Sequence, residues 1–196
     1  MNRIADRGAI MAAYVGIGMA VTIVGSFMLI IPIEFVIWLL ALPSGLLIGY
    51  YANARSNRRN GPWSRLISNG LVASVATGLT MAVLILLFKA LFFFADGGYP
   101  DFNRVDQAGN TIPPSCQTGA DCVYSRYVAA GRGPDLAAAG AVDASTFTGV
   151  YWSEQLRTAA TVFLLTAVGG VGGALLYGVA GPKATARQPD TVTPVA

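Results

Sequence analysis

Four apolar runs restrict what this chain can fold into, because each is long enough to cross a hydrocarbon layer of about 30 Å, which takes about 20 helical residues. They are residues 9–31 (AIMAAYVGIGMAVTIVGSFMLII), 35–52 (FVIWLLALPSGLLIGYYA), 70–94 (GLVASVATGLTMAVLILLFKALFFF) and 158–180 (TAATVFLLTAVGGVGGALLYGVA), and Lys89 is the one charged side chain within them. Lipid offers backbone N–H and C=O groups no partner, so such runs satisfy themselves as helices. The chain is 54 % apolar and only 12 % charged, with a mean hydropathy of +0.56, outside the range of soluble domains. The expected fold is an all-α integral membrane protein. Its four transmembrane helices form two hairpins, with a disulfide-stapled extracytoplasmic loop between the third and the fourth.

Pro32 stops the first run, and only Pro32, Ile33 and Glu34 separate it from the second, so the two make a tight hairpin. Arg3 and Arg7 precede the first run as a signal peptide's charged region would, but the run is too long for a cleaved signal and reads as a retained span.

Basic residues near span ends stay on the cytoplasmic side. Arg3 and Arg7 in the N-terminus (residues 1–8), Arg55, Arg58, Arg59 and Arg65 in the loop 53–69, and Lys183 and Arg187 in the tail 181–196 share one side with two acids, Asp6 and Asp190. The opposite side, the 32–34 turn and the segment 95–157, carries Arg104, Arg126, Arg132 and Arg157 against eight acids including Glu34. Both termini are therefore expected in the cytoplasm of a plasma (inner) membrane protein. Tyr50, Tyr51, Trp63 and Tyr177 would mark the inner boundary, and Tyr99, Tyr151 and Trp152 the outer one, since Trp and Tyr favour the interface.

This topology places the only two cysteines, Cys116 and Cys122 in CQTGADC, on the side where disulfides form and persist. A metal clip would need four ligands, and the chain has two cysteines and no histidine. A redox pair would be spaced Cys-x-x-Cys. The lack of histidine also removes a histidine-ligated haem, a Ser-His-Asp triad and a histidine proton relay. Asp96, Asp101, Asp106, Asp121, Asp135 and Asp143 are scattered singly among Gly, Pro and Ala, with no nucleophile and base at catalytic spacing. No catalytic residue, cofactor or metal site is expected.

Lys89 stands five residues before the end of its run, about 7.5 Å below the boundary at a 1.5 Å rise. Its flexible stem is expected to snorkel to the outer interface, with an ion pair to Glu34 as the alternative; Glu34 itself is expected to reach water.

Small residues recur at helical spacing in every span: Ala12, Gly16 and Ala20; Ala41, Gly45 and Gly49; Gly70, Ser74, Gly78 and Ala82; Gly169, Gly170, Gly173, Ala174 and Gly178. Such rows let backbones approach closely where lipid removes the hydrophobic drive. They pack the four helices together, and the Gly169–Gly178 face is the one most suited to a second subunit. Pro43-Ser44-Gly45 is a kink candidate that could open a cavity.

In the outer segment, residues 97–100 and 131–134 read as turns, residues 121–130 and 134–139 as short helices, and 145–155 as a helical lead into the fourth span. Such a segment has little core of its own and needs the staple and the helix ends beneath it. The basic loop ARSNRRNGPWSRLISN suits anionic headgroups rather than nucleic acid. The Pro- and Thr-rich tail reads as disordered.

Taken together, these features suggest a non-catalytic membrane protein, an accessory or structural subunit whose outer loop meets a partner. The expected partners are the lipid bilayer and a membrane protein or a second copy, with no nucleic acid. The alternative is a small transporter or channel for a neutral or lipid-like solute, using Ser44, Thr77, Thr80 and Thr166.

Overall fold

A computed structural model describes residues 5–30, 34–57, 61–95, 116 and 118–182. The turn at Pro32 and Ile33, the 97–100 turn with Tyr99, Arg58, Arg59, and the tail beyond residue 182 lie outside the described residues. Six α-helices follow in order: α1 (Arg7–Gly25), α2 (Glu34–Ser56), α3 (Trp63–Phe94), α4 (Ala120–Tyr127), α5 (Gly133–Ala138) and α6 (Ala144–Ala180). α1 ends in a π-helical turn, Ser26–Ile30, and the segment Val128–Arg132 links α4 to α5 through a kink at Gly131, whose φ is 82°. Four of these segments, Arg7–Ile30, α2, α3 and α6, are long and apolar enough to cross a membrane.

Both α1 and α6 pack against α2 and α3. In α1 the buried positions are Gly8, Ala9, Ala12, Gly16, Ala20 and Val24, the last five one row at helical spacing, while Ile10, Tyr14, Val15 and Val21 point outward. Small side chains inside and large ones outside is the reverse of a water-soluble helix and the pattern that suits close packing in lipid.

The helices overrun the expected spans. α3 begins at Trp63 rather than residue 70 and α2 continues to Ser56, so most of the expected 53–69 loop is helix ends; Asn57, with φ 49°, closes α2. α6 begins at Ala144 rather than residue 158 and runs 37 residues, about 55 Å at 1.5 Å per residue. Its first turns thus extend well past a 30 Å layer. Hydropathy marks where lipid would end, whereas backbone hydrogen bonding continues until a cap stops it. α6 has such a cap at its start: Asp143 accepts from the Thr146 amide at 2.8 Å, and the Asp143 amide donates back to the Thr146 hydroxyl at 3.2 Å.

The protruding part of α6, with α4 and α5, forms a cap over the end of α3. Phe93, Leu136, Ala141, Phe147 and Tyr151 are its buried core, with Tyr124, Tyr127, Val150 and Trp152 packed around them. α5 is closed by Gly140 at φ 86°, with Gly140 N–H on Ala137 O at 3.0 Å and Ala141 N–H on Leu136 O at 2.8 Å. That pair of bonds needs a left-handed residue, which glycine supplies without strain, and it brings Ala141 onto Leu136 inside the same core. The Cys116 and Cys122 sulfurs are bonded, with their Cα atoms 5.5 Å apart, and Gly119 N–H donates to Phe93 O at 2.9 Å. The stapled loop is therefore tied directly to the last turn of α3.

Two aromatic residues expected at the interfaces are instead packing groups. Tyr151 is 5 % exposed within the cap core, and Tyr177 is 1 % exposed, edge-on to Tyr50 at 5.3 Å between centroids. Periodicity places a ring on a face; what covers that face comes from elsewhere in the chain.

Candidate functional site

The glycines account for the middle of the bundle. A Cβ on Gly45 would overlap the Thr166 carbonyl, one on Gly49 the Gly170 carbonyl, one on Gly169 the Leu42 carbonyl and one on Gly173 the Leu46 carbonyl. α2 and α6 therefore touch backbone to backbone. Gly70 and Gly170 bring α3 against the same helix, Gly170 facing Ser74; Gly78 lies against Thr166 and Phe163, and Gly178 against Trp63. The Gly169–Gly178 face, considered for a second subunit, is occupied within the chain. α2 continues through Pro43, and the contacts of Leu42 and Gly45 on either side of it hold α6 close, so α2 and α6 stay together across the proline. The Thr77, Thr80 and Thr166 hydroxyls each donate to a carbonyl one turn back, at 3.0, 2.8 and 2.8 Å, rather than lining a shared path.

At the end expected to face the cytoplasm, Asn53 and Asn69 are both 0 % exposed. The Asn53 amide donates to Gly49 O and Leu66 O at 3.1 and 3.0 Å, and the Asn69 amide donates to the Asp6 carboxylate at 3.0 Å while its oxygen accepts from the Asp6 N–H at 2.9 Å. This network joins the starts of α1 and α3 to the end of α2. Its members are matched donor to acceptor, as buried polar groups must be.

The opposite end is arranged differently. Where α2 begins and α3 ends, under the cap, an open cavity of about 420 Å³ is lined by charged and polar side chains. α2 contributes Glu34 from its first turn and α3 contributes Lys89. α6 contributes Glu154, Gln155, Arg157 and Thr158, whose spacings of one, three and four residues put them on one side of the helix. The cap contributes Tyr127 and Arg132.

Lys89 does not snorkel to water. It is 5 % exposed and forms an ion pair with Glu34, the expected alternative. The Glu34 side chain keeps 38 % exposure toward the cavity. Arg132 lies over the Tyr127 ring at 4.9 Å. Burial holds the Tyr127 hydroxyl above the ordinary tyrosine range, with the Arg132 charge opposing, and burial also raises Tyr151.

Two of the lining groups lack a protein partner. Gln155 is 6 % exposed, yet its side-chain amide makes no hydrogen bond among the described residues. Thr158 likewise makes none, whereas Thr22, Thr77, Thr80, Thr148, Thr161 and Thr166 all bond the carbonyl four residues back. Glu154, Arg132 and Arg157 form no salt bridge among the described residues. The cavity therefore offers donors, an acceptor and net positive charge to whatever enters it.

Of the residues singled out from sequence, Lys89 and Glu34 meet here, Cys116 and Cys122 anchor the cap nearby, and the glycines lie outside the cavity. Gln155, Glu154 and Thr158 were missed; their signal is the stretch EQLRT at the head of the fourth apolar run, where a polar face enters a hydrophobic helix. Among the described residues no group of three His, Cys, Asp or Glu side chains is placed to hold a metal ion.

Among the described residues the architecture is all-helical, four long apolar helices under a disulfide-bonded helical cap. Comparison with protein-family models, with curated proteins and with solved structures finds no match to this chain.

Proposed function

We propose that this is a four-pass protein of the plasma (inner) membrane, with both termini in the cytoplasm and the cap outside. It acts without catalysis, as an accessory or structural subunit of a membrane protein assembly, and meets its partner through the cap. The observation that carries this reading is the closed middle of the bundle. Backbone contacts at Gly45, Gly49, Gly169 and Gly173 seal α2 onto α6, so the helices serve as a rigid support and the elaborated surface is the cap. The alternative, a carrier for a neutral solute, is less favoured because the threonine hydroxyls it would use are bonded to their own helices.

The test is purification from the native membrane in mild detergent, a native gel, and mass spectrometry of whatever co-migrates in constant ratio. A defined heteromeric band supports the subunit reading and names the partner. Migration of the chain alone, while other complexes survive the same detergent, overturns it.

A further inference from the structure

We propose that the cavity under the cap is a binding site for the phosphodiester headgroup of an anionic phospholipid of the outer leaflet. The proposal rests on the membrane placement given above and not on the existence of a protein partner.

Charge selects the ligand class. Lys89 and Glu34 neutralise one another, leaving Arg132 and Arg157 against Glu154, a net charge of one positive that matches one phosphodiester. A bilayer positions lipid phosphates just beyond the apolar part of the helices, and paired guanidinium groups are suited to a phosphate. Gln155 lines the same cavity. The residue is 6 % exposed, its amide makes no bond among the described residues and opens into the cavity, and together with the Arg132 and Arg157 guanidinium groups that line the same cavity it offers a phosphate donor set. The Thr158 hydroxyl and the Glu154 carboxylate remain for a hydroxylated headgroup substituent.

The position favours a lipid over a soluble phosphate ester. Glu34 and Thr158 also border a narrow apolar cleft formed with Ile37, Trp38 and Ile85. Its free volume, about 10 Å³, is one water's worth and admits no acyl chain. The chains of a bound lipid would therefore lie outside the bundle, against Phe35 and Trp38, which are 67 % and 39 % exposed on α2. Headgroup inside and tails outside suits a ligand that arrives from the bilayer.

The test uses the full-length protein, purified in a non-ionic detergent and titrated under native mass spectrometry with phosphatidylglycerol, with diacylglycerol, and with glycerol 3-phosphate. One phosphatidylglycerol per chain is expected, with diacylglycerol and glycerol 3-phosphate each at least tenfold weaker. R132Q/R157Q should weaken phosphatidylglycerol by more than tenfold and Q155L by about tenfold, while R55Q at the other end changes nothing. Thermal unfolding confirms that each variant is folded; if R132Q/R157Q is not, Q155L, which removes only an unbonded amide, decides. Equal binding of diacylglycerol, or unaltered binding by Q155L, overturns the site; equal binding of glycerol 3-phosphate overturns the lipid as its source. Membrane placement is read separately from V142C, since Val142 is 68 % exposed on the cap. Labelling by an impermeant maleimide in intact cells supports the outer leaflet, and labelling only after permeabilisation overturns that leaflet whatever the binding result.

Discussion

The two ends of the bundle bury polar side chains in different ways. At the Asn53 end, two amides and a carboxylate bond one another and the backbone, and the cluster acts as a clamp on α1, α2 and α3. At the Glu34 end, a lysine and a carboxylate pair across the wall of a cavity, and the Gln155 amide beside them bonds nothing in the protein. Equal burial therefore does not mean equal role. A buried polar group that is matched holds the fold together, while one whose polar end opens onto a cavity is left available to whatever enters it.

Both ends depend on the closed middle, so the largest effect is expected there. Gly45→Val would drive a side chain into the Thr166 backbone, and α2 and α6 would have to part. The cost should exceed the ~1–3 kcal/mol usual for overpacking, because backbone cannot step aside. Unfolding in mixed micelles reads it, and an unchanged midpoint would refute the backbone contact.

Next comes the ion pair. Glu34→Ala leaves the Lys89 ammonium buried beside the cavity and should cost about 3 kcal/mol, kept to the low end of buried pairs by the exposure of Glu34. Adding Lys89→Met should restore most of that loss, since two apolar groups need no partner. If the double variant is no more stable than the single one, Lys89 holds the fold through contacts other than its charge.

A matched pair of substitutions separates the two ends. Asn69→Leu removes two bonds to Asp6 and should cost about 2 kcal/mol, whereas Gln155→Leu should be neutral within ~0.5 kcal/mol or stabilising in lipid-free detergent. Equal losses would show that Gln155 is as structural as Asn69.

The smallest effect is local to the cap. Hydrogen bonds from Thr146 and Ser145 hold the Asp143 carboxyl at about 2, below its ordinary 3.8. A depressed carboxyl contributes stability that is fully present above pH 3.8 and is lost as pH falls through about 2. Amide exchange in the first turn of α6 should therefore quicken across that window. Asp143→Asn, which keeps an acceptor and removes the charge, should abolish the pH dependence.

Composition and run length by themselves determined that four helices would be long and apolar enough to span a membrane, that Cys116 and Cys122 would sit close enough to bond, and that small residues would line the helix contacts. These follow from local causes: apolar length, a short loop, and the absence of side chains at helical spacing. The sequence also held the choice between two fates for Lys89, but not its outcome. The tertiary structure decided that, by placing Glu34 within reach of Lys89 beneath the cap. It decided too that the glycine face of α6 belongs to α2 and α3, that α6 runs on to Asp143, and that Gln155 and Thr158 open onto Lys89 and Glu34, distant in the chain. Those facts turn on which surfaces meet across long sequence separations. Periodicity specifies the face a residue occupies, and only packing specifies what that face touches.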